Sequence, residues 1–227
     1  MGAPAIPPAL FGFLLELKEN NDRAWFEANR ERYVVEVRDP MLNFIAAFAE
    51  PLAAISPHFR ADPRPNGGSL FRIYRDTRFS RDKTPYKTNV GAHFRHFAGK
   101  DAHAPGFYLH LEPGRCFAGV GVWRPGGEAV GRIRDAMVAR PAAWRRVTGG
   151  AFGKTFSMHG ESLKRPPRGY DAGHPLIEDL KRKDFIAMVE FRESEAVKLE
   201  FLDHFAGTAR TGGPFVRFLS EAVGVPF

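Results

Sequence analysis

Residues 106–123 read GFYLHLEPGRCFAGVGVW. Two apolar runs of strand length are separated by Glu112-Pro113-Gly114, and the whole stretch is too short for anything but a tight reversal. Proline presets its φ for a turn and glycine accepts the positive φ that follows, so the two runs are expected to pair as an antiparallel hairpin. The same period continues outward. SLFRIYR (69–75) and GAHFRHF (91–97) precede the hairpin, and DFIAMVEFR (184–192) follows as a late strand.

The flanks switch to helical spacing. PPALFGFLLELKEN opens with prolines and repeats apolar residues at Leu10, Phe11, Leu14 and Leu17. NNDRAWFEANRERYVVEV follows, with Asn21 or Asp22 as N-cap, and DPMLNFIAAFAEPLAAI starts at Asp39 as its cap, with Pro51 expected to kink or end it. Past the hairpin, GGEAVGRIRDAMVAR, PAAWRRV and HPLIEDLKRK read as helices, the last capped near Gly173 and His174. EFLDHFAGTA and GPFVRFLSEAVG read as two closing helices. The fold class is therefore α+β: N-terminal helices, a central largely antiparallel sheet and C-terminal helices, expected as a single domain over residues 1–227.

With 227 residues, 44% of them apolar, the chain can bury a substantial core. The 33 Lys and Arg against 26 Asp and Glu leave +7, which suits an anionic partner but equally serves solubility. One cysteine, Cys116, excludes an internal disulfide and a cysteine-based zinc site. No signal peptide, myristoylation site or membrane-spanning run is legible, so the expected setting is cytoplasmic, with no membrane partner.

The charge is concentrated. Residues 69–89, SLFRIYRDTRFSRDKTPYKTN, hold six Arg or Lys and two Asp. On a strand from Ser69, Arg72 and Arg75 fall on opposite faces, and a dry core would not take both unpaired. Asp76 and Asp82 can match two cations, which leaves four over. The reading is an anion pocket: Arg72 and Arg75 clamp a phosphate or carboxylate, Arg78, Lys83 and Lys87 supply field, Tyr86 orients it, and Asp82 positions a cation. Thr84 and Thr88 are further donors. The alternative is that Arg72 and Arg75 bond acids elsewhere, such as Glu112 or Glu190, while the rest are solvated. A small anionic ligand is the implied partner. Nucleic acid is the less favoured one, since charges and aromatics interleave but no recognition signature or long basic helix occurs.

FRIYRDTRFSRDKTPYKTN (71–89) resembles the hallmark segment of a bacterial and fungal family catalogued as domain of unknown function 2461. NNDRAWFEANRERY, GFYLHLEPGRCFAGVGVWRP and LKRPPRGYDAGHPLIEDLKRKDFIA resemble its other motifs, so the likeness spans nearly the whole chain. The resemblance implies one conserved domain and no assigned activity.

Other motifs carry less. TGGAFGKT (148–155) lacks the first glycine of a phosphate loop and is read as a turn. Gly119 and Gly121 lack the third glycine of a dinucleotide fingerprint, yet are expected on one strand face as a bare shelf that seats a neighbour's Tyr or Trp side chain or a flat ligand, packing being the commoner use. A metal site from His93, His103 or His110 with Glu112 is disfavoured, and no cofactor is expected. Cys116 reads as a small buried residue, and Glu178 and Asp179 as a solvated helix surface. Trp25, Phe26, Phe44 and Phe48 read as core. For an enzyme acting on the anion, His110 and Glu112 are the candidate bases. A third reading is an interaction module whose basic segment is internally paired.

Overall fold

The computed structural model describes residues 5–99 and 105–227. Helix α1 (Pro8–Glu19) starts on Pro7 and Pro8 and buries Leu10, Phe11, Phe13, Leu14 and Leu17. Helix α2 (Arg23–Ala28) is capped by Asp22, whose carboxylate accepts from the Trp25 N–H at 2.9 Å. A short α3 (Arg30–Arg32) leads into a π-helical stretch, Tyr33–Arg38, and this runs without a break into α4 (Asp39–Ile55). Asp39 is therefore not a cap. Pro40 explains the widened turn: its ring would crowd the carbonyl one turn back, and an extra residue in the preceding turn relieves that clash. Pro51 does not end α4, which continues to Ile55 with Phe48 and Leu52 buried on its core face.

Strands β1 (Val90–Arg95), β2 (Gly106–Leu111) and β3 (Cys116–Val122) follow as an antiparallel meander. The β2–β3 reversal occurs at Pro113-Gly114, where Gly114 takes φ +80°. After α5 (Gly127–Ala139), α6 (Pro141–Thr148) and α7 (Gly150–Thr155) comes the short β4 (Ser157–His159). Then α8 (Ile177–Leu180), β5 (Phe185–Phe191), α9 (Glu193–Ala196) and the long α10 (Phe201–Val223) complete the chain. The sheet order is β1-β2-β3-β5-β4, antiparallel throughout.

Four expectations differ. TGGAFGKT is not a turn: Thr148 ends α6, Gly149 breaks the chain direction, and Gly150–Thr155 form helix α7. The HPLIEDLKRK helix shrinks to Ile177–Leu180, with the His174 ring accepting from the Leu176 N–H instead of capping a longer helix. Asp179 is not merely solvated: it accepts from the Trp144 indole at 2.9 Å. The two closing helices are one, because Gly212, Gly213 and Pro214 lie inside α10, where the buried stripe of Phe205, Ala209, Val216 and Leu219 holds the helix to the sheet.

That packing assigns the faces of the sheet. Ala118, Val120, Phe94 and Phe185 point toward the helices, where Phe94 meets Phe48 and Phe205, and Phe185 meets Trp144. By strand alternation Gly91, His93, Tyr108, His110, Phe117 and Gly119 point the other way. One cluster of buried apolar side chains runs from Ile6 to Leu219.

Candidate functional site

The segment 69–89 is not a named strand. It is an extended ribbon along the edge of β1: Leu70 bridges Ala92, the Phe71 N–H donates to the Gly91 carbonyl, and the His93 N–H to the Ser69 carbonyl. It then folds back on itself, with Tyr74 bridging Tyr86, the Arg75 N–H donating to Pro85 O and the Lys87 N–H to Ile73 O. Leu70 and Ile73 are buried, while Phe71, Arg72 and Tyr74 are exposed. Strict alternation fails because a short edge ribbon with two separate bridges is free to twist between them.

The fold-back creates a hollow of about 380 Å³ against the end of α1. Lys18, Arg75 and Lys87 line it together with Asn21, Thr84, Thr88 and Asn89, and Asp82 is the acid on its wall. Arg75 donates to both Asp82 and the Thr84 hydroxyl. Asp82 also accepts from the Thr84 N–H at 2.9 Å. The guanidinium contact, followed by these Thr84 bonds, holds the Asp82 carboxyl down to about 2. Lys87 Nζ donates to the Arg72 carbonyl at 2.7 Å and stands 5.6 Å above the Phe71 ring. Burial, then the nearby Arg72 charge, pulls its pKa below the usual lysine range. Lys87 is thus a half-buried cation with a carbonyl for a partner and no carboxylate among the described residues.

Of the seven sequence candidates, Arg75, Asp82, Tyr86 and Lys87 line the hollow and Arg72, Arg78 and Lys83 do not. Arg78 pairs with Asp76 at 2.7 Å on the exposed loop, and Lys83 Nζ donates to the Thr77 carbonyl. Arg72 is exposed and outside the lining; its carbonyl bonds Lys87 and its charge acts on Lys87 from outside the hollow. Tyr86 is 2% exposed and stacked on Phe26 with centroids 4.1 Å apart, so its ring is committed to packing. Glu112 bonds His110, and neither it nor Glu190 pairs with Arg72 or Arg75. Lys18, Asn21 and Asn89 were missed as lining residues. Their signal is weak, since one sits in the last turn of a helix and the asparagines read as a cap and a loop.

On the open face of the sheet, β2 presents Tyr108 and His110, and Glu112 just past its end continues the row at every second position. His110 Nε2 lies 3.2 Å from the Glu112 carboxylate, and its Nδ1 lies 3.2 Å from Tyr108 Oη and 3.5 Å from Asn89 Nδ2. A carboxylate only accepts, so Nε2 donates to Glu112 and Nδ1 is left to accept from the tyrosine. Burial lowers the His110 pKa, partly offset by Glu112, and burial raises the Tyr108 phenol to about 12. Asn89 therefore joins this row to the cationic hollow.

A family model described as a conserved hypothetical protein, DUF2461, matches residues 9–218. The chain belongs to the DUF2461 family. No curated protein and no solved structure matches it. In this DUF2461 protein the matched span includes the ribbon, the hollow and the whole sheet. Cys116 is buried, its pKa raised first by burial, in keeping with a packing role. Among the described residues, no group of three His, Cys, Asp or Glu side chains is placed to hold a metal ion, and His103 lies outside them. Likewise no described helix is long and apolar enough to cross a membrane.

Proposed function

We propose that this DUF2461 protein binds a small phosphate- or carboxylate-bearing ligand in the hollow between the end of α1 and residues 75–89. The observation that carries the reading is the convergence of Lys18, Arg75 and Lys87 on one cavity whose wall, among the described residues, holds a single acid, Asp82. Asp82 is occupied in holding Arg75. Asn21, Thr84, Thr88 and Asn89 supply neutral polar groups of the kind that orient an oxyanion between cations. A half-open hollow of this size favours a small ligand over a nucleic acid, which would call for a long exposed stripe. Isothermal titration with inorganic phosphate and with acetate tests the reading. Heat of binding lost in the Arg75→Gln and Lys87→Met variants supports it, and an athermal, shift-free titration with every anion removes it.

A second reading, that the bound anion is also chemically transformed, is favoured by the bond between Asn89 and His110. The Glu112–His110–Tyr108 row would relay a proton to or from the ligand's edge. Release of p-nitrophenol from p-nitrophenyl phosphate by the protein, abolished in His110→Gln, is the check. Absence of turnover with binding intact leaves the protein a binder only.

A further inference from the structure

We propose that the site continues into a second cavity, on the open face of the sheet, and that this cavity takes a planar aromatic ring attached to the anion. The inference rests on the reading of the hollow as an anion site and narrows the ligand to an aryl phosphate or aryl carboxylate.

The cavity measures about 300 Å³, room for one ring system, and its lining is predominantly apolar. Gly119 and Gly121 line its floor, and Phe71, Tyr108, Phe117 and Trp123 stand around it. Gly121, at φ +115°, is glycine for its own backbone, since a Cβ there would strike the Phe185 carbonyl and Phe215, so only Gly119 bears on the cavity's shape. The glycines of this sheet are not alike. A Cβ at Gly91 would lie 2.4 Å from Tyr108 Oη, so the missing side chain there is what seats the tyrosine. A Cβ at Gly119 would meet nothing closer than 3.6 Å. Packing therefore does not require glycine at 119, where a central strand ordinarily gains from a β-branched residue. A Cβ at 119 would sit in ordinary contact with Tyr108, and beyond it the cavity lies between aromatic rings, the geometry that accepts a planar ring by stacking.

Cations outside the lining itself stand over three of these rings and bear on the rest of the ligand. Lys87 Nζ stands 5.6 Å over Phe71, the Arg115 guanidinium 5.4 Å over Phe117 and the Arg124 guanidinium 4.7 Å over Trp123. Three of the four aromatic walls thus carry a cation, and a neutral apolar ligand would leave that charge unused. Lys87 also lines the anion hollow, and Asn89, on the hollow's wall, reaches His110 beside Tyr108. The two linings have no residue in common, but their walls meet where Lys87 stands over Phe71 and where His110 links Asn89 to Tyr108, so a ring in one would direct an attached phosphate or carboxylate toward the other.

Titration calorimetry with inorganic phosphate, methyl phosphate and phenyl phosphate tests this on the full chain. Phenyl phosphate should bind about tenfold or more tighter than methyl phosphate, the gain expected of one stacked ring. Gly119→Val, whose methyl groups fill the floor, should remove that gain and leave methyl phosphate binding unchanged, which also reports that the variant is folded. Trp123→Ala should reduce the gain independently if the valine variant does not fold. Equal affinity for phenyl and methyl phosphate, or a gain that survives both substitutions, overturns the proposal. Failure of the hollow alone looks different: phenyl phosphate binds and senses residue 119, while inorganic and methyl phosphate do not bind. Silence from all three probes overturns both readings.

Discussion

Asn21 grips the backbone of Tyr86 from both sides: its Nδ2 donates to the Tyr86 carbonyl at 3.0 Å, and its Oδ1 accepts from the Tyr86 N–H at 3.0 Å. Sixty-five positions apart in the chain, the two residues tie the end of α1 to the returning arm of the cationic ribbon. This clamp determines where Lys87 stands, one residue further on.

Asn21→Ala should therefore lower stability by about 1–3 kcal/mol, because it strands two backbone groups in a partly buried place. Thermal melting measures the loss. Anion affinity should fall in the same variant although no charge has been removed, which separates positioning from field.

Lys87→Met keeps the length and removes the charge. Loss of one charge-assisted contact should weaken phosphate binding by about 1.5–3 kcal/mol. The alkaline limb gives a second signature. Burial first, then Arg72, lowers the Lys87 pKa, so the bound anion should be released as pH rises at a lower value than an ordinary lysine would set. In the Met variant that limb should disappear from the affinity-versus-pH curve.

His96 is a buried neutral pin between the sheet and the C-terminus. The Ala98 N–H donates to its Nδ1 at 3.1 Å, which leaves Nε2 to donate to the Pro226 carbonyl at 2.9 Å. Burial depresses its pKa below 6.5, and the neighbouring His58 works in the same direction, against the Pro226 bond. A depressed folded-state pKa means that the unfolded chain takes up the proton first. The stabilisation is thus complete above about pH 6.5 and is lost as pH falls toward the folded value. His110 acts with the same sign. Melting temperature should drop from about pH 7 to about pH 5, with a shallower slope in His96→Asn.

Gly212 and Gly207 should respond oppositely to alanine. A Cβ at Gly212 would sit 2.6 Å from Val120 Cγ1, where α10 crosses the sheet, whereas one at Gly207 meets nothing within 4 Å. Gly212→Ala should cost about 1–3 kcal/mol by overpacking. Gly207→Ala should add about 0.5–1 kcal/mol through helix propensity and a less free unfolded chain. Urea melts of the two variants measure both.

Local chemistry by itself determined much of this protein. The period-two runs and Pro113-Gly114 specify an antiparallel hairpin, the helical stripes of α1, α4 and α5 specify which faces turn inward, and residues 69–89 carry a surplus of cations over acids. Each follows from the intrinsic geometry of a few neighbouring residues. The sequence misjudged what depends on distant partners. Nothing local says that Gly212 and Pro214 will be carried inside one helix, because the opposing Val120 lies far along the chain. Nothing local separates Arg75 and Lys87, which face the hollow, from Arg72 and Arg78, which do not, since that choice follows from the fold-back of an edge ribbon clamped by Asn21. A charge count is a property of the segment, but a site is a property of direction, and direction is assigned only when the rest of the chain packs against it.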